Sequence, residues 1–206
     1  MKKLFIASIP MLASHFLKEL EYHDEKGIFL TRSCFPAIVL LDKYIEKNDE
    51  SEILISTIRD DCENSSLNNE RFLAELEKLS EEKGVKLAVG KEIVIPHNES
   101  KQKHLVIISE LMSFYDTKEE NCKLYVDMTY GSKVTSSEVF ASLNIAEMKG
   151  LDIEELCYGF FDHSIKDNAV GVWYSIRYIY DLISIINTSS KFMPPEKIEG
   201  MIRGLI

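Results

Sequence analysis

The chain has 206 residues, 34 of them acidic and 24 basic, a net charge of −10, and 45% hydrophobic against 28% charged side chains. That balance reads as a globular chain able to bury a full core without disulfides or metal; it excludes a fibrous repeat or a disordered tail, and it disfavours a general nucleic-acid binder, which needs a basic face. The acid is uneven: residues 42–83 carry 13 acids and 6 bases, whereas residues 1–41 carry 4 acids and 5 bases, so an anion site outside the acidic stretch stays open.

In chain order, strand-like and helix-like segments alternate. Lys3–Ile9 is an apolar first strand, and Phe35–Lys47 a helix with Pro36 at its start and Ile38, Leu41 and Ile45 at helical spacing. Glu52–Ile58 is the second strand. Leu67–Lys83 is an amphipathic helix with Phe72, Leu73, Leu76 and Leu79 on one face and Gly84 as its stop. Val85–Val89 and Glu92–Ile95 are short β runs around Gly90, followed by a helix over Ser100–Tyr115 with Leu105, Ile108, Leu111 and Met112 inward. Lys123–Met128 is a strand, Val134–Lys149 a helix closed by Gly150, and Ile153–Phe160 a last strand. This order predicts an α/β fold: a Rossmann-like three-layer sandwich, with a mostly parallel sheet and helices on both faces. The acidic block then forms the solvated outside of two covering helices. Trp173–Asn187 reads as a further helix whose apolar residues spill beyond one face, to be covered within the subunit or by a second copy. Residues 1–190 form the predicted domain, and 191–206 a short helical tail after Pro194-Pro195.

The N-terminal apolar run is broken by Pro10 and followed by His15, Lys18 and Glu19, so it reads as a strand rather than a secretory leader. No apolar run reaches the ~20 residues of a membrane span. Cys34, Cys62, Cys122 and Cys157 are scattered with no CxxC pair, the pattern of a reduced, cytoplasmic chain without structural zinc. His15, His23, His97, His104 and His163 are likewise dispersed, and no metal or cofactor is expected; His163, beside Asp162 after the last strand, is a candidate for a site rim.

In open α/β sheets, ligands bind outside the carboxyl ends of the strands. Those ends are Ser8-Ile9-Pro10-Met11, Thr57-Ile58-Arg59 and Asp127-Met128-Thr129-Tyr130-Gly131-Ser132-Lys133. In the last of them a strand runs into a Gly-containing turn that opens a helix. Backbone N–H groups there attract anions, Lys133 adds a charge, and Thr129 and Ser132 add hydroxyls. The same residues also suit a plain helix N-cap, with Asp127 bonding the turn. It is not a P-loop: the second glycine and the GK[ST] ending are missing. Arg32 and Arg59 are further anion contacts by charge, although Asp60, Asp61 and Glu63 can neutralise Arg59.

The stretch from Val126 to Asp162 resembles the signature of the CRISPR-associated Rossmann-fold sensor domains, the CARF family. The branch in question is marked by D-x-T-H-G-[FS]-[RK], an apolar helix, and a strand ending in Y-G. Here these read Asp127-Met128-Thr129-Tyr130-Gly131-Ser132-Lys133, then Lys149-Gly150-Leu151-Asp152-Ile153, then Cys157-Tyr158-Gly159; Asn168–Tyr174 and Tyr180-Asp181-Leu182 extend the similarity. It is strongest over residues 123–190. Tyr130 replaces the branch's histidine.

The resemblance implies a homodimer that binds cyclic oligoadenylate, the second messenger of type III CRISPR systems, across its two-fold axis, with cyclic tetra-adenylate matching that symmetry. Neither a membrane nor duplex DNA is an expected partner. The short stretch after the last helix leaves no room for an effector domain, so the expected activity is that of a stand-alone ring nuclease acting slowly and without metal. Lys133 would stabilise charge, and Ser8 and Ser132 would orient the ribose. Ile9, Pro10, Met11, Arg32, Thr57, Arg59, Asp127, Thr129, Tyr130 and Gly131 would contact the ligand. The alternative is a non-catalytic sensor or sequestering module that works through a partner. An unrelated nucleotide-binding Rossmann enzyme would carry glycines in its first turn, which Ser8–Met11 lacks. A transcription regulator would need a more basic final helix.

Overall fold

The first strand is apolar along most of its length because both of its faces are covered. β1 (Lys2–Ser8) sits inside an eight-stranded sheet whose spatial order is β3-β2-β8-β7-β6-β1-β4-β5. The computed structural model describes residues 2–13, 15–58, 63–95, 100–118, 122–161 and 170–204. In chain order β1 is followed by β2 (Leu20–His23), β3 (Phe29–Ser33), α1 (Pro36–Tyr44), β4 (Glu50–Ile58), α2 (Glu63–Lys83), β5 (Val89–Ile95) and α3 (Lys101–Asp116). Then come β6 (Lys123–Asp127), α4 (Lys133–Met148), β7 (Asp152–Phe161), β8 (Val170–Ser175), α5 (Arg177–Ser189) and α6 (Pro195–Arg203). The pairs β4–β5, β1–β4, β1–β6 and β6–β7 are parallel, as is β2–β8; β7–β8 and β2–β3 are antiparallel. The chain is therefore α/β, with a mostly parallel sheet between two helical layers, as its alternating pattern predicts.

Two apolar cores follow from the strand alternation. Phe5, Ala7 and Ile9 face α1 and α2, and meet Phe35, Leu40, Phe72 and Trp173. Leu4 and Ile6 face α3 and α4, and meet Leu111, Leu143, Leu156 and Tyr180. β1 joins β4 on one side and β6 on the other. The chain winds outward through β4 and β5, then returns through α3 to β6, so the strand order reverses between β1 and β6. A crevice opens at the carboxyl ends of such a pair.

Four features depart from the sequence pattern. The hairpin of β2 and β3 is absent from the predicted elements: β2 alternates buried Leu20 and Tyr22 with Glu21 and His23 over only 4 residues, and the 5-residue β3 is largely uncovered. Its turn is held by Asp24, whose Oδ1 accepts from Lys26 N and Ile28 N. Trp173 and Tyr174 belong to β8 rather than to a helix. Gly171 and Trp173 point inward while Val172 and Tyr174 are half-buried, a period of two hidden inside an aromatic run, and α5 begins only at Arg177. Val85–Ala88 is not a strand; β5 starts at Val89. Within α3 the buried residues are Ile107, Leu111, Phe114 and Tyr115, while Leu105 and Met112 are exposed, so the inward face is rotated from the expected one.

Trp173 is the chain's single tryptophan and is 2% exposed. Its emission should lie to the blue of free tryptophan and move red in urea. Trp173→Ala should lower unfolding stability by about 3–5 kcal/mol. A solvent-like native emission would contradict the placement of β8.

Candidate functional site

A cavity of about 450 Å³ opens at the reversal between β1 and β6, within the range of about 300–1,000 Å³ typical of small-molecule sites. Ser8, Ile9, Pro10, Met11 and Leu12 form one wall, and Thr129, Tyr130 and Gly131 the facing one. Ser56 of β4, Ile95 of β5 and Tyr158–Phe161 of β7 complete it. Among the described residues no charged side chain lines it; hydroxyls, backbone and aromatic rings do.

Each wall is fixed by short-range bonds. Ser8 Oγ and Ser56 Oγ lie 2.7 Å apart, and Ile9 N donates to Ser56 O at 2.8 Å, so β1 stays paired one residue past its end. Beyond Pro10 the chain has no strand partner. There Asn68 of α2, 1% exposed, donates from Nδ2 to Pro10 O and Leu12 O, each at 2.8 Å.

The facing wall is organised by Asp127. Its Oδ1 accepts from Thr129 N at 3.0 Å and from the Thr129 hydroxyl, and Cys157 Sγ lies 3.8 Å away. Thr129 Oγ1 in turn accepts from Gly159 N at 2.8 Å, and Met128 N donates to Cys157 O at 2.9 Å. The turn is thus bolted to β7. A side chain at 159 is not possible without movement, since a Cβ there would lie 2.3 Å from Pro36 Cγ. Gly131 has φ +109°, and a Cβ on it would stand 3.1 Å from Ser8 Oγ. Glycine therefore lets the two walls meet.

Burial pushes the Asp127 carboxyl up to about 6, against the pull of its hydrogen bonds from Thr129 and Cys157. Burial foremost, with the charge of Asp127 behind it, also raises the Tyr130 phenol well above its ordinary range, so it stays protonated at neutral pH. Its ring packs on Phe161, with centroids 6.4 Å apart.

The structure gathers Ser8, Ile9, Pro10, Met11, Thr129, Tyr130 and Gly131 on one cavity. Asp127 stands behind the wall, 4% exposed, as a positioning group rather than a contact. Ser132 is the N-cap of α4: its Oγ accepts from Thr135 N at 3.1 Å and lies 3.0 Å from Thr135 Oγ1. Lys133 opens α4 beside the cavity, exposed and with no ion-pair partner among the described residues, but it does not line the cavity. Arg32 stands on β3, three strands out from β7, paired with Glu21. Arg59, Asp60, Asp61 and Cys62 lie outside the described residues, as do His97, Asp162, His163 and the side chain of Thr57.

Sequence reasoning missed Ser56, Asn68, Ile95, Phe160 and Phe161. Asn68 was hidden in a helix read only for its apolar face, although an asparagine on the buried side of such a helix is itself a signal. His104 pairs with Glu138 at 2.8 Å between α3 and α4, away from the cavity lining. Among the described residues no group of three or more His, Cys, Asp and Glu could hold a metal ion, and no helix is long and apolar enough to cross a membrane.

The fold and cavity define an α/β protein with a ligand-sized crevice at its topological switch point. No protein-family model matches the chain, and no curated protein matches it.

Two measurements check this geometry. The native state keeps a proton on Asp127 that the unfolded chain releases, so stability should fall as pH rises from 3.8 to about 6 and be flat above, for this group alone. The drop attributable to it is about 3 kcal/mol. Urea denaturation of Asp127→Asn should lack that slope, and an unchanged slope would contradict it. Asn68→Ala should cost about 1–3 kcal/mol by leaving two carbonyls unpaired, and should speed amide exchange at Met11 and Leu12.

Proposed function

We propose that the chain binds cyclic oligoadenylate at the β1/β6 switch point, with cyclic tetra-adenylate the favoured ring, and cleaves it slowly without metal as a CARF-type ring nuclease. The observation that carries the reading is the meeting of Ser8–Met11 with Thr129–Gly131 on one cavity. The second of these segments belongs to the motif that carries the family resemblance, and a switch point is where α/β sheets take nucleotides.

The wall chemistry supports a nucleotide as ligand. Thr129 and Ser8 present hydroxyls, and α4 starts immediately after the lining turn, so its free N–H groups and the charge of Lys133 lie on the phosphate side. A four-nucleotide ring exceeds one cavity of about 450 Å³, which suits sharing between two copies related by a two-fold axis. α5 offers the covering surface: Tyr178, Ile179 and Ile185 are exposed along it.

Cleavage proceeds within the ligand. A ribose 2′-oxygen attacks the adjoining phosphorus, the bond to the 5′-oxygen breaks, and the proton of the 2′-hydroxyl passes to the leaving 5′-oxygen. The products are a 2′,3′-cyclic phosphate and a 5′-hydroxyl. The protein contributes in-line orientation and, from Lys133, stabilisation of the charge that builds on phosphorus. Among the described residues no general base lines the cavity, which supports a slow turnover. The second reading, a non-catalytic sensor, is favoured by one observation: Ser8 is bonded to Ser56 and Ser132 caps α4, so both assigned hydroxyls already have structural roles.

Labelled cyclic tetra-adenylate incubated in EDTA with stoichiometric protein should yield 2′,3′-cyclic phosphate ends. Lys133→Ala should slow the reaction about a hundredfold. A bound but intact ring would leave only the sensor; a ring that does not bind would remove both readings.

A further inference from the structure

β7 carries two aromatic residues that the core does not use. Tyr158 and Phe160 are 41% and 50% exposed, while Cys157 and Gly159, before and between them, are buried. Both aromatics line the cavity. Being two residues apart on one strand, they project from the same face of the sheet. Leu156, on that face one step earlier, is fully covered by the α3–α4 layer, so β7 emerges from beneath its helices at Tyr158.

The spacing is what makes the pair specific. Residues i and i+2 on a strand stand about 6.6 Å apart. Stacked bases repeat at about 3.4 Å. The backbone positions that carry the two rings are therefore about two stacking distances apart, a spacing at which side chains projecting side by side can take one planar ring between them. No ring contact joins Tyr158 or Phe160 to each other or to another ring among the described residues, whereas Phe161, on the opposite face of the strand, packs on Tyr130. Across the ladder Tyr174 stands opposite Tyr158 and Val172 opposite Phe160, giving the slot a flank of β8 side chains.

We propose that Tyr158 and Phe160 form a clamp that takes one uncharged nucleobase edge-on from the cavity, and that this clamp, rather than ion pairing, supplies the base recognition of the site. The inference rests on the reading that an oligoadenylate occupies the cavity, and it assigns the adenine to a place that reading left open. Adenine suits the slot because it is flat and neutral, and the cavity has no charged side chain among the described residues to favour an ionic ligand group there. The phosphates then remain on the side of the α4 start, where Lys133 stands.

The test is a binding titration of the full chain with cyclic tetra-adenylate and, separately, with adenosine 5′-monophosphate, each combined with light scattering for oligomeric state. Tyr158→Leu and Phe160→Leu should each weaken the ring about 10- to 100-fold, whereas Tyr158→Phe should bind as the parent does. Both rings are exposed, so the leucine variants should unfold at the parent's urea midpoint. Leucine variants that bind the ring as tightly as the parent overturn the clamp and leave the functional reading standing. If the ring does not bind but the monophosphate does, and only with both aromatics present, the clamp stands and the cyclic-oligoadenylate reading falls. Binding of neither overturns both. Weakened binding that goes with a change of oligomeric state also overturns the clamp, because the two rings would then be covering a second copy of the chain.

Discussion

A carboxyl group held out of water at the end of β6 sets the geometry of the carboxyl edge. Removing such a group from solvent is costly unless its lone pairs are used. Asp127 uses Oδ1 on the backbone and hydroxyl of Thr129, which forces the chain to turn immediately after the strand. Thr129 then receives Gly159 N, and Met128 donates to Cys157 O, so the turn is tied to β7 at two points. Gly159 lets β7 pass against Pro36 at the start of α1, and Gly131 lets the turn approach Ser8. One buried acid thereby aligns the ends of β6 and β7 with α1 and β1. The cavity is what remains between them.

The alternation of strand and helix is legible in the sequence because most of those segments are long and buried on a clear period. β1, β4, β6, α2 and α4 follow directly from apolar spacing and from stops at Gly84 and Gly150. The turn at Thr129–Lys133 is legible as well, because Gly after a strand and before a helix has few other uses. What the pattern conceals has physical causes. β2 alternates buried and half-buried residues, but over only 4 residues, and β3 is largely uncovered, so neither stands out from the surrounding loop. In β8 an alternation of two is masked by side chains that are mostly large and apolar, and by α5 following directly. Asn68 acts through backbone carbonyls of a segment far away in the chain, a contact that only the tertiary fold creates. The misjudged roles have the same origin: Asp127 and Ser132 stand where the motif puts them along the chain, but burial and capping decide which side of the wall a side chain serves.

Part of the acid behind the net charge of −10 sits in ion pairs away from the cavity. Asp49 and Glu52 lie at the amino end of the sheet, where Lys3 and Lys118 pair with them at 2.5 and 2.7 Å. Asp42 meets Lys83 at 2.8 Å between α1 and α2. A seven-residue strand such as β1 spans about 23 Å from its amino to its carboxyl end, and the screening length at physiological salt is about 8 Å. Asp49 and Glu52, each offset by its lysine and a strand length away, therefore exert little field on the cavity. The acidic block is also not confined to helices, since part of it belongs to β4.

A neutral, aromatic and hydroxyl-bearing cavity constrains how any ligand can be held. Long-range attraction is weak, so capture depends on contacts made after arrival, and discrimination depends on shape and stacking. On the proposed reading phosphate would sit along the border, beside the α4 start and Lys133. Catalysis would then be governed by orientation: with the Tyr130 phenol held protonated and Asp127 walled off behind Thr129, the described cavity lining supplies no proton acceptor near neutral pH. On the proposed reading a bound ribose would act on its own phosphate, and the rate would depend on how tightly base and turn hold the two in line. The same rigidity that fixes the turn would set both the affinity and the speed of the site.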